Sequence, residues 1–598
     1  MKNLQILTIF GATYRRRLWL SLVAIFLLCV PLLFLCLGSW SFFDPDEGRY
    51  GEVPREMLQS GDFITPTQNH LKFFDKPPLL YWTIAGSYEL FGYQEWAARL
   101  IPALAALLGV FMAFALGRQM FGLRGGFLSA IILATSLMWP LFGRIVLTDM
   151  LFSALVFTTL AFWWMGHAGR EKEGDKRHSV LYDVGFAITL ALAVLAKGPI
   201  AIVLCGGAIL LYVLICKQLQ AITQMRWWMM IPLFAVIAVP WFWLVAAHNP
   251  EFNHYFWYDQ HIARFLGRTT GNDHSHGITY YFKFLPLIFF PWSLFVPAAL
   301  FAGWKHRHGS NIKRRGLIFL LCGTGWIFLF FSASSGKIVT YILPIVPLLA
   351  VMLAGYFDWL YERQKRTSQF AWSRILTAGV LVLALLLVAG GASAVVLAPQ
   401  KLRELGVAGS AAFAPGIILI LWGIALVIAS WRFRLSGLVA STTVGFVAMF
   451  ASALVIITSV APQFTTESLV RYIRPGLTAQ ARVVTIAYPQ SVGFYTGKRL
   501  DIIDPPDEIT LGVRQLSPKE RQRWIYDGSN EIAELRRDFD YPGPVYCFVR
   551  YSIYRKNYKA IFQKLGDIAV KINANERYLV FGNQAAAALT PPVPEPNS

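Results

Sequence analysis

Apolar runs long enough to cross a bilayer recur along most of the chain, and they limit its fold more than any other feature. In hydrocarbon each backbone N–H and C=O must be satisfied within its own segment, so such runs fold as helices. About thirteen can be counted, centred on residues 18–38, 97–117, 126–142, 147–165, 180–196, 198–216, 228–247, 281–301, 316–332, 341–360, 374–397, 411–430 and 437–459. Lys197-Gly-Pro199 interrupts the 180–216 stretch. Hydrophobic residues make up 56% of the 598 positions and charged residues 15%. A soluble chain of this length would divide into several domains and carry far more surface charge. The expected class is an α-helical integral membrane protein.

A net charge of +20 invites a nucleic-acid partner, but its distribution argues against one. The basic residues fall in alternate loops: Arg15-Arg16-Arg17, Arg118 with Arg124, 170–177, Lys217 with Arg226, 305–315, 363–374, and Arg432 with Arg434. The positive-inside rule assigns these loops to the cytoplasm. An odd number of spans then places the 44–96 loop, the 248–280 loop and everything after about residue 460 outside, which in a bacterium is the periplasmic face of the inner membrane. The N-terminal run has no small-residue cleavage site and reads as an uncleaved span. Cys29, Cys36, Cys205, Cys216 and Cys322 lie in spans and Cys547 stands alone outside, so no disulfide framework is expected.

Beyond the spans the composition changes. Short β-rich runs at 483–488, 544–549 and 578–581 alternate with helical patterns at 531–537 and 558–565. The chain therefore divides into a transmembrane domain over 1–460, a small α/β domain over 461–586 and a disordered proline-rich tail over 587–598. No internal repeat of the kind that builds many transporters is visible.

The chemistry concentrates in the external loops. Asp44-Pro-Asp46-Glu47-Gly-Arg49-Tyr50 places three acids and an arginine beside the first span, and Phe74-Asp75-Lys76-Pro77-Pro78 follows. Charge held this close to a bilayer is costly and marks a functional site; the alternative for a single acid is a helix cap. The segments 50–58 and 79–90 have the pattern of helices lying in the membrane interface. Asp149 opens the fourth span on the same side of the membrane. Arg264 offers a fork suited to phosphate. Lys197 and Lys337 either join Lys76 and Arg264 in a cationic set or snorkel to the interface. Five of the ten histidines lie between His248 and His276. Imidazole with carboxylate suits zinc or manganese, so a divalent cation held by Asp75, His254 and His261 is a candidate cofactor; the alternative is an interfacial aromatic belt. Acids beside cations at a membrane surface suggest an enzyme acting on a charged, lipid-linked substrate.

At these residues the chain resembles a known family. Pro45-Asp-Glu-Gly-Arg-Tyr-Gly-Glu52, Arg55-Glu-Met-Leu-Gln-Ser-Gly-Asp62, Val146-Leu-Thr-Asp149, Ala196-Lys-Gly198, Pro240-Trp241, His261-Ile-Ala-Arg-Phe265, Pro291-Trp292 and Gly336-Lys-Ile-Val-Thr-Tyr341 are similar, in that order, to the aminoarabinose transferases of lipid A. These belong to the polyprenyl-phosphate-dependent glycosyltransferases of the GT-C fold, as do the protein O-mannosyltransferases. The family commonly has Glu-Lys-Pro where this chain has Asp75-Lys76-Pro77, one methylene shorter.

The resemblance implies a donor of 4-amino-4-deoxy-L-arabinose on undecaprenyl phosphate and a periplasmic acceptor such as a lipid A phosphate. Lys76 and Arg264 would stabilise the leaving phosphate, with Lys197, Lys337 and Tyr341 behind them. Asp46 would be the catalytic carboxylate and Asp149 its partner, with Glu47, Arg49 and Tyr50 completing the site. A protein O-glycosyltransferase of the same fold is the first alternative. A transporter of lipid-linked sugar is the second, but it would need charges in mid-membrane.

Overall fold

Thr135 and Ser136 show how the spans are cut. Each hydroxyl donates back to a carbonyl one turn earlier, those of Ile131 and Ile132, at 2.6 Å. Such bonds compete with the helix ladder, and the helix ends at Ala134. The computed structural model describes residues 2–173, 176–267, 276–305, 311–366, 374–407, 409–431, 435–526 and 531–591. Among them, ten helices are long and apolar enough to cross a membrane.

In chain order, α1 (Lys2–Leu33) leads into a loop carrying α2 (Asp46–Ser60) and α3 (Leu79–Phe91). Then come α4 (Glu95–Phe121), α5 (Leu123–Ala134), α6 (Met138–Phe142), α7 (Thr148–Glu173), α8 (Lys176–Lys197) and α9 (Ile200–Cys216). The sequence predicts spans at 126–142, 198–216 and 281–301, and these are the places where the helices differ from full spans. The 12 residues of α5 cover about 18 Å and the 17 of α9 about 25 Å, short of a roughly 30 Å hydrocarbon core. Near 281–301, Tyr280–Ile288 and Trp292–Phe301 meet at 102°. Pro291 at that junction has no N–H to continue the ladder. Window hydropathy counts all three as spans because it does not register such breaks.

The C-terminal residues form a six-stranded sheet. A hairpin of β1 (Thr67–Gln68) and β2 (Leu71–Lys72) precedes it in the chain. The sheet strands are β3 (Arg482–Ile486), β4 (Asp501–Ile503), β5 (Ile525–Tyr526), β6 (Val545–Arg550), β7 (Val570–Ala574) and β8 (Tyr578–Gly582), in the order β5-β4-β3-β6-β8-β7. The first four are parallel, and β8 and β7 add antiparallel. The predicted strands near 483, 544 and 578 are β3, β6 and β8, and the predicted helices are Glu531–Phe539 and Lys559–Leu565. A last helix, Gln584–Leu589, crosses the predicted boundary at 586. Of the predicted tail, residues 592–598 lie outside the described residues.

Alternation along the strands decides how this domain sits. Tyr546 and Phe548 of β6, with Tyr578 and Val580 of β8, pack into one core together with Tyr50, Val53 and Met57 of α2 and Tyr81 and Ile84 of α3. Val545, Cys547 and Val549, with Leu579 and Phe581, enter a second core within the domain. With side chains alternating between faces, one face of the sheet lies on the first loop. The two helices of that loop are therefore not simply laid in the membrane interface, as their patterns suggest. Positions 47–57 of α2 are buried, which is tolerable because their charges are paired: Glu52 accepts from Arg55 at 2.5 and 2.7 Å, and Glu56 accepts from Thr67 Oγ1 at 2.7 Å and from the His70 amide at 3.0 Å. Gly48 allows the contact with the sheet domain. A Cβ there would stand 2.5 Å from the amide nitrogen of Ser491.

Candidate active site

A cavity of about 370 Å³ opens where α8, α9, the 254–266 segment and the 330–341 segment meet. Lys76, Lys197, Arg264 and Tyr341 line it, and Asp75 and His261 join them. Much of the remaining wall is apolar, with Ile200, Val203, Leu266, Phe330 and Phe331. Val203 is 41% exposed and Leu266 50%, so this wall continues onto the surface that a bilayer would cover. Gly198 forms the tight turn between α8 and α9 at a φ of +86°, and a Cβ there would meet His261 Nε2 at 2.7 Å. This turn sets Lys197, the last residue of α8, at the cavity.

The cations are held by acids. Lys76 Nζ donates to Asp75 Oδ2 at 2.8 Å, and Arg264 stands 3.8 Å from Asp75 Oδ1 while donating to Gln260 Oε1 at 3.1 Å. Burial would push the Asp75 carboxyl up, but Lys76, Arg264 and Arg49 outweigh it and hold it well below the usual carboxylate range. Lys197 forms a salt bridge with Asp149, and its ammonium lies 4.3 Å from the centroid of the Tyr341 ring. Burial pushes the Tyr341 phenol up against the opposing pull of Arg264 and Lys76, so it stays a protonated donor.

Asp46 behaves differently. Burial pushes its carboxyl above the ordinary value; Arg49 opposes this, and the nearby carboxylates of Asp149, Glu508 and Asp75 add to it. Four carboxylates thus crowd one corner, where Asp75 is held low and the proton affinity of Asp46 is raised. A carboxyl group in that condition suits proton transfer.

Other predicted residues serve the frame. Glu47 turns away from the cavity and accepts from Arg99 Nε at 2.8 Å, from the second Arg99 nitrogen at 2.9 Å and from the Val146 amide at 3.1 Å. It ties α2 to α4 and to the strand of chain leading into Asp149. Arg49 is buried and donates to Glu508 of the C-terminal domain at 2.6 Å. Tyr50 is buried against Tyr81, with ring centroids 6.1 Å apart. Lys337 is not a cavity residue: its ammonium donates to the carbonyls of His276, at 2.8 Å, and Ser334, and it is 3% exposed. It neither lines the cavity nor snorkels.

The proposed metal ligands do not fit a metal site as arranged. The His254 side chain is 75% exposed and faces Asp259 at 3.4 Å. His261 donates from Nδ1 to the Phe256 carbonyl at 2.6 Å and also bonds to the backbone of Lys197. Asp75 is occupied by two cations. Among the described residues no three His, Cys, Asp or Glu side chains converge to hold an ion.

Sequence reasoning missed Arg99 and Glu508. Arg99 carried a signal, because a lone arginine in an apolar helix needs partners; it is fully buried and also donates to the carbonyls of Leu37, Trp40 and Ser41. Glu508 carried none, since its partner lies 459 positions away.

Residues 18–256 match the family model described as dolichyl-phosphate-mannose-protein mannosyltransferase. The chain is 30% identical over 346 residues to the undecaprenyl phosphate-alpha-4-amino-4-deoxy-L-arabinose arabinosyl transferase of Shewanella sediminis, covering 56% of this chain and 60% of that one. It is 31% identical over 355 residues to the protein of the same name from Edwardsiella ictaluri, covering 57% and 60%. The match thus spans about three fifths of the length of these relatives. The fold is that of ArnT from Cupriavidus metallidurans in the apo state, with a TM-score of 0.79 at 24% identity, covering 96% of this chain and 99% of that one. The structure of the same protein bound to undecaprenyl phosphate gives 0.78.

Proposed function

We propose that this chain is an aminoarabinose transferase of the GT-C fold that moves 4-amino-4-deoxy-L-arabinose from undecaprenyl phosphate to a lipid A phosphate. The observation that carries this is the two-sided cavity: three cations and a phenol at its inner end, and an apolar wall running out to the bilayer surface. A polyprenyl phosphate has the same division. The relatives' names and the undecaprenyl phosphate-bound neighbour support the donor assignment.

The reaction follows from these positions. An acceptor oxygen attacks C1 of the sugar, the bond from C1 to the phosphate oxygen breaks, and the electron pair leaves with the lipid phosphate. Lys76, Lys197 and Arg264 offset the charge that grows there, and Tyr341 can donate to it. Asp75 and Asp149 hold these cations in place before the donor arrives. Asp46 takes a proton from a hydroxyl acceptor; an ionised phosphate needs less help, and Asp46 then orients it.

The assignment to the periplasmic face of the inner membrane rests on charge. Arg124 with Asp358 and Glu362, and Arg315 with Glu171, gather predicted cytoplasmic loops together, whereas the cavity is built from the predicted external loops. A protein acceptor is the second reading, supported by the family model matched over 18–256. Mass spectrometry of lipid A and of the glycosylated proteins, from cells with and without this chain, separates the two. Sugar-modified lipid A that depends on the chain is expected; modified protein with unmodified lipid A would select the second reading.

A further inference from the structure

The parallel strands of the C-terminal domain carry a place that such sheets use for ligands. From β3 the chain passes to β4 and β5 on one side, then returns past β3 to β6 on the other. Where neighbouring parallel strands lead off in opposite directions, a crevice opens outside their carboxyl ends, and ligands bind there. Here it lies between the ends of β3 and β6. The backbone leaving β3 is bent sharply, with φ of +55° at Ala487 and +39° at Tyr488. Non-glycine residues keep this left-handed conformation only where their surroundings fix it, often at functional sites. Three residues further on, Ser491 stands at the crevice.

The occupant is the protein's own first loop. Asp44 Oδ1 accepts from the Ser491 amide at 2.7 Å, and Oδ2 accepts from Ser491 Oγ at 2.6 Å. Tyr578, which pairs with Arg550 at the carboxyl end of β6, donates to the same Oδ2 at 3.2 Å. The Asp44 carbonyl accepts from Arg577 at 2.9 Å. Residues beside Asp44 are held from the same side: Ser41 Oγ bonds to Thr465 Oγ1 at 2.7 Å, and the Phe42 amide donates to Tyr495 Oη at 2.7 Å. Asp46 therefore lies between two anchors. The sheet domain grips Asp44, two positions before it, and Arg99 of α4 grips Glu47, one position after it.

We infer that Asp44 is a positioning residue for sugar transfer: it fills the ligand crevice of the sheet domain as an internal ligand and thereby aims Asp46. This rests on the proposed role of Asp46 and adds what holds that residue in place. It also gives the C-terminal domain a part in turnover. A reacting group displaced by about 1 Å can lose roughly a hundredfold in rate. Position is what Asp44 supplies, and its charge is dispensable. An asparagine there offers an oxygen to the Ser491 amide, and the hydroxyls of Ser491 and Tyr578 can accept from its NH2 group. A glutamate keeps the charge but is one methylene too long for a crevice closed on all sides.

The test uses the full chain in nanodiscs with undecaprenyl-phosphate aminoarabinose and lipid A. Asp44→Glu should lower kcat about tenfold or more with the donor KM unchanged, and Asp44→Asn should restore kcat. Ser491→Ala, which keeps the amide and Tyr578 bonds, should lower kcat in the same way but less, and it serves if Asp44→Glu does not fold. Val549→Ala destabilises the same domain from its second core and should leave kcat unchanged while the protein is folded. Hydrogen exchange of the Glu47 and Arg49 amides should quicken in Asp44→Glu and Ser491→Ala, and not in Asp44→Asn. An unchanged kcat in folded Asp44→Glu, a loss confined to the donor KM, or an equal loss in Asp44→Asn or Val549→Ala would overturn the inference. Exchange does not require turnover. A parent protein that modifies no lipid A would count against the proposed function, while the exchange pattern still decides whether the sheet domain holds this segment.

Discussion

Arg49 in the first loop and Glu508 in the C-terminal domain form a salt bridge of 2.6 Å, which brings the sheet domain against the corner that holds Asp46. A second tie lies close by. Asp44 accepts from the Ser491 amide at 2.7 Å, from Ser491 Oγ at 2.6 Å and from Tyr578 Oη at 3.2 Å. The two ties differ in burial: the Glu508 side chain is 44% exposed, whereas Asp44 is 6% exposed.

That difference predicts their weights. Screening limits the Glu508 bridge to about 1 kcal/mol or less. Asp44→Ala leaves three donors without their acceptor and should cost about 3 kcal/mol or more. Thermal unfolding in detergent should show a small shift for Glu508→Gln and a large one for Asp44→Ala, with faster proteolysis of the C-terminal domain in the second.

The cations divide in the same way. Lys76→Ala and Arg264→Ala should each lower kcat/KM for the donor about ten- to a hundredfold, the equivalent of roughly 1.5–3 kcal/mol for a lost charged hydrogen bond. Lys337→Ala should leave the donor KM unchanged and lower the unfolding temperature, because it uncovers two carbonyls. Steady-state kinetics with a lipid-phosphate donor, beside thermal unfolding, separates the two classes.

The raised Asp46 carboxyl predicts the pH profile. With a hydroxyl acceptor, whose proton Asp46 would take, turnover requires the ionised carboxylate, so the acidic limb of the rate should lie above the range of an ordinary aspartate. Asp149→Asn removes a like charge and leaves Lys197 without its carboxylate. Both changes favour ionised Asp46, so the limb should move to lower pH. A pH–rate profile of the two proteins checks the sign.

Much of this was legible in the sequence. Lys76, Lys197 and Arg264, predicted from their charge and their place on the outer face, meet in one cavity with Tyr341, which only the resemblance pointed to. Lys337 and Glu47 carry the same kind of signal, yet their side chains point the other way; a sequence places a residue at a membrane face but does not aim it. Strands β4, β5 and β7 escaped notice because they are short or polar. Asp501-Ile-Ile503 and Ile525-Tyr526 are too brief for alternation to show, and Val570–Ala574 lies at the sheet edge. The burial of α2 depends on partners hundreds of positions away, and no local pattern reveals those.

The histidines give a direct forecast. His254 faces solvent and His261 is bonded to backbone, and under the proposed function the basic residues carry the phosphate charge themselves. Activity should survive a chelator that leaves the sample free of metal by elemental analysis, and added zinc or manganese should not raise it. A chelator-sensitive enzyme restored by one of these ions would show that the site rearranges around a cation.

The central claim is that this cavity and Asp46 transfer sugar between two lipids. It is tested by mass spectrometry of purified lipid A after incubation with undecaprenyl-phosphate aminoarabinose and the full chain in nanodiscs. The parent protein should add the sugar, and Asp46→Asn should fold, bind the donor and add none. Unmodified lipid A with the parent protein, or near-normal transfer by Asp46→Asn, would contradict the account.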